Sequence, residues 1–485
     1  MNYRNLSINE LHELLVKKEV TPLELAKEAI RLAKEDKNNA FEYIMEKEAL
    51  EIASKLTVPE ANNPLWGIPF VIKDNFSTKD VPTTASSNIL SGYVPLYDAT
   101  VMTKLLEAHA VPIGKTTLDE LAMGGTGTTG HLGTTFNPHD KSHTRYVGGS
   151  SCGSAAATAA GIVPFALGSD TGDSTRKPAS FAGLVGFKPT WSRISRFGLF
   201  PFTPSLDTVG IFSRNVKDSA YVLNVLAGRD EKDSTSSTKP VEDYTSLVGK
   251  SIKGLRIGVV KEILDTLKDK NAIDAFNKSL EGFKEKGAIV NYVHIPTEIL
   301  SSLLPTYFVL SCAEATSNNA CLDGIKYGPY YDGKTYEEVM MNARTKGFSE
   351  LIKRRFVFGS YALMSENKNE LFIRAQKNRR RIVEAVNKAF EECDVIYTPA
   401  APSVAPKFTD SSDRLSDEYL IADNHLVLGN FAGLPSITVP IALINELPYG
   451  ANLMTKAFEE KELFMFASVL EDISGLKNLV AKEDK

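Results

Sequence analysis

Near the start of the chain, apolar residues recur at helical spacing, and both runs carry start signals. Ser7-Ile-Asn-Glu10 and Thr21-Pro-Leu-Glu24 have capping-box form, in which a hydroxyl and a glutamate three positions on satisfy each other's unpaired backbone donors. Pro22 stands at the first position of the second predicted helix, where its missing N–H costs nothing. Leu11, Leu14 and Leu15, then Leu25, Ala29 and Leu32, fall on one face of each, as helices packing inward require.

From residue 65 onward the period changes. Short apolar runs, IPFVI, VPFAL, LRIGVV and DVIYTP, read as buried strands and alternate with helical segments such as ATVMTKLLEAHA. This alternation predicts an α/β fold with a sheet covered by helices on both faces. The most apolar run, residues 155–168, is shorter than the roughly 20 residues a membrane span needs, and it contains Pro164. It reads as a buried helix followed by a strand. Two polar stretches break the pattern. Residues 228–250 are rich in Ser, Thr and Asp and predict an exposed connection able to act as a hinge. Residues 409–418 separate the strand near Tyr397 from a closing segment, NFAGLPSITVP. No internal repeat is visible.

Composition narrows the class. With 485 residues, 24% of them charged and 43% hydrophobic, the chain fits a globular protein, and length alone allows about two to four domains. A formal net charge of -5 provides no global basic field for nucleic acid. Cys152, Cys312, Cys321 and Cys393 lack C-x-x-C spacing, so they read as reduced thiols rather than a zinc ribbon or disulfide framework. The opening MNYRNLSINELHELL lacks signal-peptide design, and a cytoplasmic protein without a membrane partner is expected.

Candidate chemistry concentrates in residues 146–191, YVGGSSCGSAAATAAGIVPFALGSDTGDSTRKPASFAGLVGFKPTW, where glycines beside serines let backbone N–H groups crowd around a reacting atom. Ser150 and Ser151 lie in a glycine-flanked turn leading to an Ala-rich helix starting near Ser154, where an N-cap role is the alternative. Ser174 follows the strand-like residues 163–167, in a loop equally compatible with phosphate binding. Lys73 closes the run IPFVIK at a strand end. Desolvation there would turn it into a base, whereas a simple pair with Asp74 is the alternative. His139 and His143 share H-x-x-x-H spacing in a polar loop without a third ligand, so no metal is expected. Residues 377–382, KNRRRI, are the sole basic cluster, read as a solvated face or subunit contact of an amphipathic helix.

Together, GGSSCGSAAA, GSDTGDSTR 24 positions downstream by their serines Ser150 and Ser174, and Lys73 in GIPFVIKDN closely resemble the amidase signature family. The resemblance extends to LPYGANLMTKAFEEKELF and so covers nearly the whole chain. It implies a Ser-cis-Ser-Lys triad on one large α/β/α domain spanning residues 1–485, with a mixed central sheet. Within it would lie N-terminal helices (7–55), a catalytic core (65–225), the exposed connection (228–250) and a substrate-pocket and C-terminal part (251–480). By that resemblance Ser174 is the nucleophile, Ser150 the bridging serine and Lys73 the base, with the backbone amides of Thr171, Gly172, Asp173 and Ser174 meeting the oxyanion.

TLDELAMG, YFVLSCAEATSNNACLDGIKYG, KRRFVFGSYAL and ADNHLVLGNFAGLPSITVP are similar to one branch of the family, the glutamine-hydrolysing A subunits of tRNA-dependent amidotransferases. That implies release of ammonia from glutamine and its passage to a companion B subunit, which uses ATP and Mg²⁺ to amidate Glu-tRNA(Gln) or Asp-tRNA(Asn). A small C subunit would complete a heterotrimer, tRNA would be held mainly by B, and this chain would need no cofactor of its own. A free glutamine presents one carboxylate and one ammonium beyond its amide, and the resemblance assigns Arg355 and Asp423 to them, with Tyr307 closing the pocket. On local sequence alone, Arg354 and Arg355 also fit a solvated helix face, and Asp423 a cap.

Two residues depart from the family pattern: Asp173 stands where a second glycine usually precedes the nucleophile, and Cys152 replaces a glycine of the SSGGS turn. GTGTTGHLG and ACLDG also differ from the usual versions. Unless it turns toward solvent, Asp173 would strain a backbone needing positive φ or repel an oxyanion, which motivates the reading of a catalytically impaired assembly scaffold; a free-standing amidase for another small amide is the runner-up.

Overall fold

The computed structural model describes residues 3–482 apart from 412, 413 and 417, so part of the polar stretch 409–418 and the first two residues of the opening segment lie outside the described residues. Both N-terminal helices form where their caps predict, Ile8–Val16 and Pro22–Lys34. Each has a complete capping box, Ser7 with Glu10 and Thr21 with Glu24.

Eleven strands build one mixed sheet: β1 (Phe41–Ile44), β2 (Pro69–Lys73), β3 (Val111–Thr116), β4 (Phe165–Asp170), β5 (Val185–Lys188), β6 (Thr208–Ser213), β7 (Arg256–Val260), β8 (Ile289–Val293), β9 (Val395–Pro399), β10 (Ser436–Ile444) and β11 (Leu447–Met454). Their spatial order is β1-β3-β2-β4-β6-β5-β10-β11-β9-β7-β8. Parallel pairs, β3-β2-β4 at one side and β9-β7-β8 at the other, flank an antiparallel centre.

Alternation along the strands creates three layers. Phe70 and Ile72 of β2, Phe165 and Leu167 of β4, and Val395 and Tyr397 of β9 enter one continuous core, which also takes Val222, Phe276 and Leu463 from covering helices. Val71 and Ala166 point the other way, into a core shared with helices Pro22–Lys34 and Cys152–Ala159. Ile396 and Met454 do the same at the far side, beneath helices Leu303–Asn318 and Arg374–Ala389. The Ala-rich helix begins at Cys152, two residues before the expected Ser154, and β4 runs on to Asp170.

Helical residues Thr297–Cys321 are long and apolar enough, by length and composition, to cross a membrane, with a mean hydropathy of 1.3. Half of that run is buried within the fold, where Leu303 and Leu310 enter the far core and Ala315 a neighbouring one. On the helix holding the basic cluster, Arg379 turns inward to the carbonyls of Phe431 and Ser205 (3.2 and 3.1 Å), Arg380 pairs with Glu384, and Lys377 and Arg381 are exposed.

Residues 228–250 contain no helix or strand. Arg193, 1% exposed, holds them down: its guanidinium donates to the carbonyls of Lys239 (2.9 Å) and Pro240 (2.6 Å) and to the hydroxyl of buried Tyr244. Charged donors to buried acceptors contribute roughly 1.5–3 kcal/mol each. Arg193→Ala should therefore speed protease cleavage within residues 228–250 at least tenfold in limited proteolysis while the rest of the chain resists.

Candidate active site

The site forms at the C-terminal ends of two parallel neighbours, β2 and β4. Lys73 is the last residue of β2 and is fully buried. Its Nζ lies 2.8 Å from Ser150 Oγ, 2.9 Å from Ser151 Oγ and 2.8 Å from Ser169 Oγ. The Asp74 alternative is not what forms, since that carboxylate pairs with Lys115 at 3.0 Å. Burial lowers the Lys73 ammonium from its ordinary 10.5 to about 7, against the opposing pull of Cys152, Asp119, Asp170 and Asp207.

Hydrogen-bond bookkeeping then orients the amine. Ser151 Oγ donates to the Ser169 carbonyl (3.0 Å), so toward Lys73 it accepts, and Ser169 Oγ already accepts from Asn75 Nδ2 (3.0 Å). A neutral amine has two N–H groups and one lone pair. One N–H therefore goes to Ser151, and the second N–H and the lone pair fall to Ser150 and Ser169, each of which has a hydroxyl proton to give the amine. Ser151 occupies the N-cap position of its helix but makes no side-chain capping bond, which frees its hydroxyl for this task. Ser169 and Asn75 are not apparent from the sequence; the one usable signal is their closeness to GSDTG and IKDN.

Ser150 is held from behind. The Gly149–Ser150 peptide is cis. The Ser150 carbonyl accepts from the Asp119 N–H (3.1 Å), while the Asp119 carboxylate collects the N–H groups of Thr126, Gly127, Thr128 and Thr129 at 3.0–3.2 Å and the Thr129 hydroxyl at 2.8 Å. The glycine- and threonine-rich segment after AMG is thus a nest around one carboxylate. A Cβ on Gly149 would meet Asp119 Oδ2 at 1.9 Å, so only glycine fits there. Cys152 packs beneath, its thiol pushed up to about 12 by burial and by Asp119, and stays protonated.

Ser174 sits in the turn between β4 and helix Arg176–Ala182 and is 5% exposed. Its carbonyl accepts from the Ser151 N–H (3.3 Å), and its hydroxyl makes no hydrogen bond to Ser150 among the described residues. The N–H groups of Thr171, Gly172, Asp173 and Ser174 donate to no protein acceptor among the described residues. Arg176 explains their direction: its guanidinium takes the Gly172 carbonyl (2.7 Å) and both Asp170 oxygens (2.8 and 3.1 Å) into the interior, leaving the N–H side of the turn outward. Burial opposes the charge on Asp170, but Arg176 and Asn430 hold that carboxyl down at about 2. Asp173 has no positive φ, and its side chain turns to Lys177 at 2.7 Å, so the backbone strain anticipated from the sequence is absent.

Around this centre stand the remaining expected residues. The Tyr307 ring covers Gly172, within 3.2 Å of where a Cβ would be, and packs edge-on against Phe202. Arg355 lies over Phe308 and Phe202 at 5.4 and 5.9 Å, with Nε and Nη1 buried and without a partner, whereas Arg354 is exposed. Asp423 meets Lys177 at 3.2 Å. His139 contacts the Ala182 carbonyl and His143 stacks on Phe136. No group of three or more potential metal ligands occurs among the described residues.

A lysine buried among hydroxyls thus lies beside a turn that presents four free N–H groups. A family model described as Amidase matches residues 24–464, and the chain belongs to that family. It is 42% identical over 474 residues to the A subunit of the glutamyl-tRNA(Gln) amidotransferase from Lactobacillus gasseri, covering 97% of each chain. It is 43% identical over 477 residues to the protein of the same name from Heliobacterium modesticaldum, covering 96% of each. The crystal structure of the corresponding A subunit from Thermotoga maritima superimposes with a TM-score of 0.81 at 33% identity, over 100% of this chain and 99% of that one.

Two outcomes follow from the geometry. Gly149→Ala should cut amide hydrolysis by at least a thousandfold in a steady-state ammonia assay, because the Asp119 carboxylate must move. Only a neutral Lys73 can accept a proton, so a reaction that uses it as base should show kcat/KM rising about tenfold per pH unit below about 7 and levelling off above it. The sign for stability runs the same way. With its folded value below 10.5, the lysine destabilises the fold progressively as pH falls from 10.5 to about 7 and by a constant amount below that.

Proposed function

We propose that the chain is the glutamine-hydrolysing A subunit of a tRNA-dependent amidotransferase. The observation that carries this reading is the clasp of Lys73 by Ser150, Ser151 and Ser169 next to the free N–H groups of residues 171–174. Near-full-length likeness to proteins named as the A subunit of that enzyme supports the choice of branch.

In this mechanism neutral Lys73 accepts the Ser150 proton as Ser150 accepts that of Ser174, and Ser174 Oγ attacks the side-chain amide carbon of glutamine. The oxyanion meets N–H groups of Thr171, Gly172, Asp173 and Ser174, each such donor contributing about 3 kcal/mol to the transition state. The relay returns its proton to the departing nitrogen, ammonia leaves, and water releases glutamate from the acyl-enzyme. Arg355, with two buried nitrogens lacking acceptors, receives the substrate carboxylate, and Asp423 the ammonium. Ammonia then passes to a B subunit, where ATP and Mg²⁺ activate Glu-tRNA(Gln) or Asp-tRNA(Asn). A C subunit completes the heterotrimer, tRNA is bound mainly by B, and this chain uses no cofactor.

The test joins two assays on the assembled complex. Ser174→Ala should lower ammonia release from glutamine at least a thousandfold without disturbing subunit copurification, and ammonium chloride should restore ATP-dependent amidation of the tRNA. Unchanged amidation with glutamine as the only nitrogen donor would overturn the assignment.

A further inference from the structure

Asp173 and Lys177 are joined in a way the mechanism leaves unused. Lys177 Nζ lies 2.7 Å from Asp173 Oδ2 and 3.2 Å from Asp423 Oδ1, and it also donates to the Asp423 carbonyl at 2.5 Å. The lysine side chain is 9% exposed, against 19% for Asp173 and 31% for Asp423. The cation is therefore the most buried member of the cluster, and the two carboxylates are the more exposed ones. Asp173 Oδ1 and Asp423 Oδ2 have no hydrogen-bond donor among the described residues.

Charge decides what such a cluster can receive. Lys177 alone would neutralise Asp423 and leave nothing to attract a second cation. Asp173 restores one negative charge, which one incoming ammonium cancels. An independent feature points to the same kind of ligand. Arg355, with Nε and Nη1 buried and unpartnered, provides the site's other pole for a carboxylate. Tyr307, whose ring covers Gly172, interacts electrostatically with both Arg355 and Asp173.

We infer that Asp173, Lys177 and Asp423 form one charge-balanced receptor for the ammonium of an α-amino acid amide, with Asp173 a specificity-determining residue and Lys177 the positioning residue that fixes both carboxylates. The inference rests on the glutamine-hydrolysing reading for the identity of the amide, and it changes the role of Asp173 from an intruder in the nucleophile turn to a ligand of the substrate. It also makes Asp173 and Lys177 interdependent: a chain with glycine at 173 and a neutral residue at 177 would carry the same net charge, from Asp423 alone.

Calorimetric titration in a Ser174→Ala background reads binding without turnover. The probes are L-glutamine and glutaramate, which keeps the amide and carboxylate but lacks the ammonium. The unaltered charge set should bind glutamine at least tenfold more tightly than glutaramate. Asp173→Asn, nearly isosteric and so tolerant of folding, should bring that ratio below about threefold, and Asp173→Gly combined with Lys177→Gln should restore it. A ratio within twofold of the unaltered set in Asp173→Asn, or a double variant as unselective as the single one, would overturn the receptor. Failure of the glutaminase reading is seen separately, in ammonia release by the chain that retains Ser174.

Discussion

The buried ion pair between Arg176 and Asp170 governs the site more than any catalytic contact does. Both side chains are fully enclosed, and the guanidinium spends its donors on Asp170, the Gly172 carbonyl, the Leu426 carbonyl, Asn430 and Ser436. Leaving such a charge unpaired typically costs about 3–5 kcal/mol, so the turn after β4 has one low-energy shape. That shape decides which way the peptide groups of residues 171–174 point, and the same guanidinium bonds a turn of the N-terminal half to residues 426–436 of the C-terminal half. The direction of these N–H groups and the joining of the two parts of the chain thus share a single group.

Burial also sets the reactivity of the lysine. Among the described residues three lysines, Lys73, Lys115 and Lys188, are wholly inside, and their surroundings separate their roles. Lys115 has Asp74, and Lys188 donates to the carbonyls of Pro189 and Leu434. Lys73 alone of the three is surrounded by hydroxyls that can pass a proton onward. Desolvation makes an amine available; the hydroxyls make it useful.

Much of this is legible in the chain because it is local. Capping boxes, strand-length apolar runs and the glycine-serine turns report their own conformation, and the helices and strands form within a few residues of the expected positions. Long-range selection is not legible. No local pattern says that Asp119 gathers the N–H groups of residues 126–129 or that Arg193 holds residues 239 and 240, because each depends on a backbone brought close by the sheet. The apolar run 155–168 divides into helix and strand as its Pro164 suggests, whereas the apolar length of Thr297–Cys321 has no local signature of its burial, although it carries Tyr307. Asp173 reads as a source of strain for a related reason: its answering charge, Lys177, lies one helical turn away, and the third member of the set lies some 250 positions on.

The sheet order carries a further meaning for the way the molecule is made. Hairpin β10-β11 is inserted between β5 and β9, strands synthesised before it. Until residues 436–454 emerge from the ribosome, both of those strands present open edges, and until residues 426–436 do, Arg176 lacks the carbonyl, amide and hydroxyl acceptors they supply. A nascent chain therefore holds the turn of residues 171–174 without the support that aims it, and that turn reaches its final shape only once residues 426–436 have been made.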